Sequence, residues 1–229
     1  MKAMILAAGR GERMRPLTDT KPKPLLEAGG KPLIAWTLDA LAGCGIREVV
    51  INLAHLRESI ERALGDGAKW GVRIHYSHEP EGALETAGGI AHALPLLGSA
   101  PFLVVNGDIY TDYPFASLVE RNLPPQGTLA HLVLIDNPPH HPAGDFGLVE
   151  GRLTAEAPVR YTYSGIGVYD PEMFAGVTRG TRCQLAAVLR PELARGRVSG
   201  EHYRGRWFDI GTPERLSALD RALRVESSS

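Results

Sequence analysis

Cysteine is scarce in this 229-residue sequence, and its two cysteines, Cys44 and Cys183, do not form a C-x-x-C pair. So few thiols exclude a disulfide framework and a zinc site built on paired cysteines. The sequence also lacks an excess of either charge sign, because its net charge is −1. We therefore expect no nucleic-acid partner, since such proteins usually carry a basic face. The scarcity of cysteine favours a reducing compartment, and we expect a cytoplasmic protein.

Long apolar runs are also missing. No stretch approaches the ~20 apolar residues that span a bilayer, and the apolar run at residues 4–8 is too short for the core of a signal peptide. We therefore expect no membrane association. Apolar residues still make up 44% of the sequence, which is enough for a buried core. We expect a single domain over residues 1–225, present as a monomer or a small homo-oligomer.

Strand and helix patterns alternate in the first half of the chain. Short apolar and β-branched runs predict strands at residues 2–6, 48–53, 72–76 and 101–105. Helical apolar periods predict helices between them, at residues 31–43, 57–64 and 86–94, the first opened by Lys31-Pro32. This alternation predicts an α/β fold with a Rossmann-like, mostly parallel mixed sheet flanked by helices. Ligands bind such sheets at the carboxyl ends of the strands, where the loops 7–23 and 106–112 are expected.

The pattern changes after residue 112. Strands are predicted at residues 128–135, 161–169, 197–203 and 206–210, with a hairpin at 146–154 and helices at 184–193 and 212–223. No linker separates the two halves, so the second half is predicted to pack on the first as a lobe. The predicted organisation is a first half of about residues 1–112, a smaller lobe of about 113–205, and a C-terminal strand and helix of about 206–225.

Residues 6–26 combine small side chains with clustered cations. Small residues follow the first strand at once, and such residues let backbone amides approach an anion closely. The cations that follow are Arg13, Arg15, Lys21 and Lys23. This density of positive charge predicts a triphosphate site. The G-x-G element lacks the third glycine of the dinucleotide fingerprint, and the Walker pattern is absent. An ordinary loop between a strand and a helix remains the alternative.

The combined pattern G-x-G-x-R-x-x-P-L-T, followed by P-K-P-L, resembles the sugar-1-phosphate nucleotidylyltransferase family. The resemblance extends over about residues 1–223. It implies the nucleotide-diphospho-sugar transferase fold, with a smaller sugar-binding lobe after the nucleotide-binding half. It also implies an enzyme that transfers a uridylyl group from UTP to a sugar 1-phosphate and releases pyrophosphate. Glucose 1-phosphate with dTTP, mannose 1-phosphate with GTP, a non-catalytic nucleotide-sugar sensor and a dinucleotide oxidoreductase remain alternatives.

Two aspartates are candidate metal ligands. Asp108 follows a buried strand, and Asp209 lies in the segment W-F-D-I-G-T-P. A lone aspartate after a strand is usually a turn or cap residue, but these two patterns resemble the metal-binding aspartates of the family. Two carboxylates together with phosphate oxygens form a typical site for Mg²⁺, the expected cofactor. His140-His141 lies beside prolines and is expected in an exposed loop without a metal role.

The resemblance also implies catalytic roles for Arg13, Lys23 and Asp108. Phosphoryl-type transfer needs alignment and charge neutralisation rather than a protein nucleophile. Arg13 would hold the β- and γ-phosphates, and Lys23 would neutralise the α-phosphate in the transition state. Asp108 would act through the metal. For Arg15, a phosphate contact and a solvated surface position are both open.

The nucleotide base is expected over residues 6–9 and against residues 79–89. The second segment resembles the L-G-T-A element of the family, with Glu85 in place of the glycine. Glu79 is the candidate acceptor for a uracil or thymine ring N–H, and a solvated loop glutamate is the alternative. The expected nucleotide-binding residues are Leu6, Ala7, Ala8, Gly9, Gly11, Arg13, Lys23, Glu79, Thr86, Asn106 and Asp108.

The second half contains patterns that resemble the sugar-binding elements of the family. Residues 144–149 (G-D-F-G-L-V) match its Y-G-hydrophobic segment with phenylalanine for tyrosine. Residues 156–158 (E-A-P) match its E-K-P element without the lysine. The resemblance implies sugar contacts from Gly147, Glu156, Arg160, Tyr163 and Ser164.

Two roles for arginines remain open. The lysine that is missing from E-A-P assists the sugar phosphate in the family, and Arg160, Arg204 or Arg206 are candidates to replace it. Within the family, the chain resembles a subgroup whose sugar carries a lactyl carboxylate. Arg160 and Arg182 are the candidates to bind that group.

Overall fold

The protein, described here by a computed structural model that covers residues 1–80 and 83–227, is organised around one large sheet. The strands are β1 (Lys2–Leu6), β2 (Glu27–Ala28), β3 (Lys31–Pro32), β4 (Glu48–Leu53), β5 (Arg73–His78), β6 (Phe102–Asn106), β7 (Ile109–Thr111), β8 (Ala130–Ile135), β9 (Gly147–Val149), β10 (Arg152–Thr154), β11 (Thr162–Tyr169), β12 (Val198–Tyr203) and β13 (Trp207–Asp209). The helices are α1 (Leu33–Gly43), α2 (Arg57–Leu64), α3 (Glu85–Leu97), α4 (Ala116–Glu120), α5 (Leu185–Ala194) and α6 (Pro213–Ser227).

The large sheet has nine strands in the order β5-β4-β1-β6-β11-β8-β12-β10-β9. The first four strands are parallel. Strand β11 then pairs antiparallel to both β6 and β8, and β12 returns parallel to β8. The predicted α/β class, with a Rossmann-like mixed sheet flanked by helices, is confirmed. Both halves of the chain contribute strands to this one sheet, and the parallel pairings lie mainly in the first half.

Helices cover both faces of the sheet. On one face, Ile5 of β1 packs in the same apolar cluster as Leu38 of α1. On the other face, Met4 packs in the same cluster as Ile90 of α3. Because strand β1 is buried on both sides, its sequence is continuously apolar from Ala3 to Leu6 rather than alternating. Among the residues described, no helix has both the length and the apolarity needed to cross a bilayer.

A small ribbon connects the C-terminal segment to the carboxyl edge of the sheet. Strands β7 and β13 pair antiparallel, with Asp209 opposite Ile109. The Ile210 amide donates to the Asp108 carbonyl at 2.9 Å. Helix α6 follows directly, and its Leu219 is buried in an apolar cluster near the start of α1. The ribbon therefore brings residues from the end of the chain beside the end of β6.

The start of α1 differs from the prediction. Lys31 and Pro32 were expected to open this helix, but they form β3, which pairs with β2. Pro32 has an extended backbone, with ψ at 144°, and the helix begins at Leu33. A proline fixes only φ, which is compatible with both states, so the tertiary pairing decides between them. The three-residue strand β7 and the five-residue helix α4 were not predicted, because elements of this length carry little periodicity.

Candidate active site

An open cleft of about 680 Å³ lies where β1, β4 and β6 end. Every residue that the sequence predicted to bind the nucleotide lines this cleft. The residues lining it include Leu6 to Met14, Lys23, Asn52, Glu79, Glu85, Thr86, Asn106, Asp108, Arg182 and Gly211. The cleft therefore occupies the strand-end edge at which an α/β sheet of this kind binds its ligands.

The loop after β1 is closed by Gly11, which has a left-handed backbone with φ at 65°. The Thr18 hydroxyl donates to the Gly11 carbonyl at 2.8 Å. A Cβ at position 11 would lie 3.3 Å from the Lys23 Cβ, so this glycine allows the loop to approach the Lys23 segment. The loop after β1 and Lys23 therefore pack against each other where they line the cleft.

The four cations predicted for the triphosphate site do not all reach it. Arg13 and Lys23 line the cleft. Arg15 instead pairs with Asp19 at 3.2 Å, and its side chain is exposed. Lys21 pairs with Glu27 at 2.8 Å, also at the surface. The density of positive charge is visible in the sequence, but the direction of each side chain is not, and two of these four cations line the cleft.

Lys23 and Asp108 form an ion pair in the cleft. The Lys23 Nζ donates to Asp108 Oδ2 at 2.7 Å, and the lysine side chain is 10% exposed. Asp108 is positioned by the turn at Gly107, whose amide donates to the Leu6 carbonyl at 2.9 Å. A Cβ at position 107 would lie 2.5 Å from the Leu6 oxygen. Only a glycine therefore lets this turn lie against the end of β1.

Asp209 lies close to Asp108 in the fold through the β7–β13 pairing. Its Oδ2 accepts from Arg215 Nη1 at 2.5 Å and lies 3.1 Å from His140 Nε2. A Cβ at the neighbouring Gly211, which lines the cleft, would be 3.2 Å from Asp209 Oδ1 and 3.4 Å from Arg13 Nη1. Arg13, Lys23 and Asp108 therefore line the cleft themselves, whereas Asp209 is not among the lining residues and lies next to Gly211, which is.

His140 was expected in an exposed loop without a metal role. It does lie in a loop, but its ring contacts the Asp209 carboxylate and Arg215 Nη1. The sequence carried no signal for this contact, because 69 residues separate His140 from Asp209. No group of three or more His, Cys, Asp or Glu side chains suited to a metal occurs in residues 1–80 and 83–227.

A buried polar network forms the floor beyond β4. The Ala7 amide donates to Asn52 Oδ1 at 2.8 Å, and Asn52 Nδ2 donates to Glu79 Oε1 at 2.6 Å. The other carboxylate oxygen of Glu79 accepts from the Leu84 amide at 2.7 Å. Glu79 is 5% exposed, so the alternative of a solvated loop glutamate is wrong. Its role as an acceptor for a base N–H stays a prediction.

Glu85 and Arg182 form an ion pair on the wall of the same cleft. Glu85 Oε1 accepts from Arg182 Nε at 3.1 Å and from Nη2 at 2.6 Å. The sequence suggested Arg182 as a partner for a sugar carboxylate, but the structure places it beside the predicted base segment. The sequence carried no signal for the contact between Arg182 and Glu85, which are 97 residues apart. Residues 81 and 82 of the predicted base segment lie outside the described residues.

The predicted sugar-binding residues lie in the second half of the chain and do not line this cleft. Gly147 is buried in β9, and Glu156 is exposed after β10. Arg160 Nη2 donates to the Asp145 carbonyl at 2.5 Å.

Tyr163 and Ser164 lie at a bulge in β11. The Ser164 hydroxyl donates to the Val133 carbonyl at 2.7 Å, and the Tyr163 and Tyr169 hydroxyls are 2.9 Å apart. Burial raises the pKa of Tyr163, so its phenol is neutral. These side chains thus have contacts within the protein, and the sugar-binding roles of the five residues stay predictions.

Known proteins match this chain over nearly its whole length. Residues 2–225 match the family model described as nucleotidyl transferase. The chain is 56% identical over 220 residues to an N-acetylmuramate alpha-1-phosphate uridylyltransferase of Neisseria meningitidis, covering 94% of this chain and 95% of that protein. It is 35% identical over 235 residues to a protein of the same name from Caulobacter vibrioides, covering 96% of each.

A similar fold occurs in a solved structure. A Bacillus anthracis protein assigned as a glucose-1-phosphate thymidylyltransferase, crystallised with sucrose, superposes with a TM-score of 0.85. The match covers 98% of this chain and 95% of that chain, at 24% identity. At this identity the likeness concerns the fold alone. The match of the family model over nearly the whole chain establishes that this protein belongs to the nucleotidyl transferase family.

Proposed function

We propose that this enzyme transfers a uridylyl group from UTP to N-acetylmuramic acid α-1-phosphate, giving a UDP-sugar and pyrophosphate. The observation that carries the substrate assignment is the 56% identity, over nearly the full length of both chains, with the Neisseria uridylyltransferase. The cleft supports the reaction class, because its cations are arranged for a polyphosphate. We infer that the reaction takes place in the cytoplasm and serves the recycling of peptidoglycan sugars.

The reaction joins two anions that repel each other. An oxygen of the sugar phosphate attacks the α-phosphorus of UTP, and the bond from that phosphorus to the pyrophosphate oxygen breaks. Catalysis of such a transfer depends on alignment and on neutralising charge. Lys23 is suited to the α-phosphate because its ammonium is nearly buried and fixed beside Asp108. Arg13, near Gly211, is suited to the β- and γ-phosphates.

Asp108 and Asp209 are the residues that would hold Mg²⁺. They fit this ion because the pairing of β7 with β13 brings the backbone of Asp108, in the turn before β7, close to that of Asp209 in β13. Two carboxylates then leave the remaining coordination positions to phosphate oxygens and water. When bound, Mg²⁺ supplies further neutralisation of the phosphates and helps to orient them. Arg215 and His140 already contact Asp209 Oδ2, and they would hold its carboxylate in one orientation.

The sugar is assigned to the second lobe, with Gly147, Glu156, Arg160, Tyr163 and Ser164 as its proposed contacts. Arg160 is the better of the two candidates for the lactyl carboxylate, because Arg182 lies on the nucleotide side and is paired with Glu85. Arg160, Arg204 or Arg206 would take the place of the lysine missing from E-A-P. Substitution of each arginine by alanine tests this, and a KM for the sugar phosphate that does not change removes that residue from the proposal.

A substrate panel tests the proposed function. Purified enzyme is given each of UTP, dTTP, GTP and ATP with each of several sugar 1-phosphates, with and without Mg²⁺, and pyrophosphate release is followed. We expect the highest rate with UTP and N-acetylmuramic acid α-1-phosphate, and only with Mg²⁺. A preference for dTTP with glucose 1-phosphate, or for GTP with mannose 1-phosphate, would replace the proposed pair. Binding without turnover would indicate a sensor.

A further inference from the structure

Glu85 has a backbone conformation that usually requires glycine. Its φ is 62°, in the left-handed region, at the first residue of α3. This conformation is unfavourable for a residue with a Cβ. A glycine here would leave the wall of the cleft open, whereas Glu85 places a carboxylate and its stem there.

The carboxylate is held in place by its partner. Arg182 donates to Glu85 Oε1 through both Nε and Nη2, at 3.1 and 2.6 Å. The Arg182 side chain is 71% exposed, but its backbone is fixed. The Cys183 amide donates to the Leu84 carbonyl at 2.9 Å, and the Gly88 amide donates to the Cys183 carbonyl at 3.0 Å. The backbone next to Arg182 is therefore hydrogen-bonded to the start of α3, which carries Glu85.

The order of the strands shows which part of a nucleotide would meet this pair. Asp108 follows β6, whereas the segment leading to Glu85 follows β5. Strands β4 and β1 lie between them, which separates the two sides of the cleft by roughly 14 Å at ~4.8 Å per strand. The triphosphate belongs on the β6 side, with Lys23. The base then lies on the β5 side.

We propose that the Glu85–Arg182 pair is a specificity wall that limits the base end of the cleft to a pyrimidine. This inference rests on the proposed function, because it concerns the nucleotide of that reaction. A purine carries a second ring, which would require the carboxylate stem or the arginine to move. Pockets that differ by a few atoms discriminate between substrates by ~10-fold to ~200-fold. The pair thereby favours UTP over GTP and ATP.

The test replaces Glu85 by glycine, which suits the left-handed backbone and removes the wall. The ratio of kcat/KM for GTP to that for UTP is measured with the same sugar phosphate. We expect this ratio to rise at least ~10-fold in Glu85→Gly. Arg182→Ala should raise it as well, and the double variant should match Glu85→Gly, because the two residues act as one unit.

Glu150→Gly is the matched control. Glu150 also has a left-handed backbone, with φ at 49°, but it is exposed in the hairpin between β9 and β10 and does not line the cleft. In Glu150→Gly, the ratio of kcat/KM for GTP to that for UTP should stay within about twofold of the wild type, as expected for a distant and independent site. Arg179→Ala, an exposed arginine of the same loop as Arg182, controls for the loss of a surface charge.

A second readout separates this inference from the proposed function. Affinities for UTP and GTP are measured by titration calorimetry without any sugar phosphate, on variants whose thermal unfolding confirms that they are folded. If the wild type forms no UDP-sugar, the proposed function fails, but the base preference is still measured. The proposed role of the pair is wrong if a folded Glu85→Gly variant keeps both ratios of GTP to UTP, that of kcat/KM and that of affinity, within about twofold of the wild type.

Discussion

The Lys23 ammonium lies 2.7 Å from the Asp108 carboxylate, although 85 residues separate them in the sequence. Lys23 comes from the loop after β1, and Asp108 comes from the turn after β6. Since β1 and β6 are neighbours in the sheet, their following loops meet at one edge. The ion pair therefore links the loop after β1 to the turn after β6.

Lys23→Ala is expected to lower kcat at least ~100-fold, the order found when one preorganised charge partner is removed. The measurement is steady-state pyrophosphate release with UTP and the sugar phosphate. Lys21→Ala is the control, because Lys21 pairs with Glu27 at the surface. Near-normal turnover of Lys23→Ala would remove the lysine from the catalytic machinery.

Asp209→Asn is expected to raise the Mg²⁺ concentration needed for half-maximal activity by at least ~10-fold, because one of the two proposed carboxylate ligands would lose its charge. Direct Mn²⁺ titration followed by electron paramagnetic resonance gives a readout that does not depend on turnover. Asp39→Asn, an exposed aspartate paired with Lys31, is the control. An unchanged metal affinity would mean that Asp209 does not bind the ion.

Gly107→Ala is expected to lower kcat/KM about 100-fold, because the new Cβ would lie 2.5 Å from the Leu6 oxygen and would displace Asp108. Its midpoint of thermal unfolding should also fall. Gly43→Ala is the matched control, since a Cβ there has no neighbour within 4 Å and position 43 is helical. If Gly107→Ala and Gly43→Ala behave alike, the close approach at Gly107 does not position the site.

Glu201→Gln is expected to lower the free energy of unfolding at pH 7. Burial raises the pKa of Glu201, but hydrogen bonds from His131, Tyr113 and Arg121 outweigh it and lower the pKa from 4.5 to about 2. The carboxylate therefore stabilises the fold above pH ~4.5, and this contribution is lost as the pH falls toward ~2. We expect a difference of about 2–3 kcal/mol at pH 7.

Denaturant titrations of the wild type and Glu201→Gln at pH 7 and near pH 2 measure this contribution. The difference between the two proteins should be largest at pH 7 and should shrink as the pH falls. Glu150→Gln, which changes an exposed glutamate, is the reference for a carboxylate outside the network. A difference that does not depend on pH would mean that the charge of Glu201 does not stabilise the fold.

The arrangement of the first half of the chain was predictable because its signals are local. The apolar strand β1, the small residues after it and the cation at Lys23 follow each other within residues 2–23. Asp108 follows a buried strand directly, and the strand-end rule for α/β sheets places it at the same edge. These features depend on short-range pattern and on one general rule of topology.

The remaining features depend on contacts between distant residues. His140 meets Asp209, and Glu85 meets Arg182, only because the fold brings their segments together. Lys31-Pro32 forms a strand because β2 offers a partner, which the helical apolar period could not indicate. The Ser164 hydroxyl donates to the Val133 carbonyl, a contact between residues 31 positions apart that the sequence pattern does not indicate.

The proposed reaction is tested by the yield of UDP-linked sugar from UTP and N-acetylmuramic acid α-1-phosphate, followed by mass spectrometry together with pyrophosphate release. We expect wild-type enzyme with Mg²⁺ to form both products in equal amounts and Lys23→Ala to form them at least ~100-fold more slowly. A wild-type enzyme that forms neither product, while it remains folded, would contradict the proposed reaction.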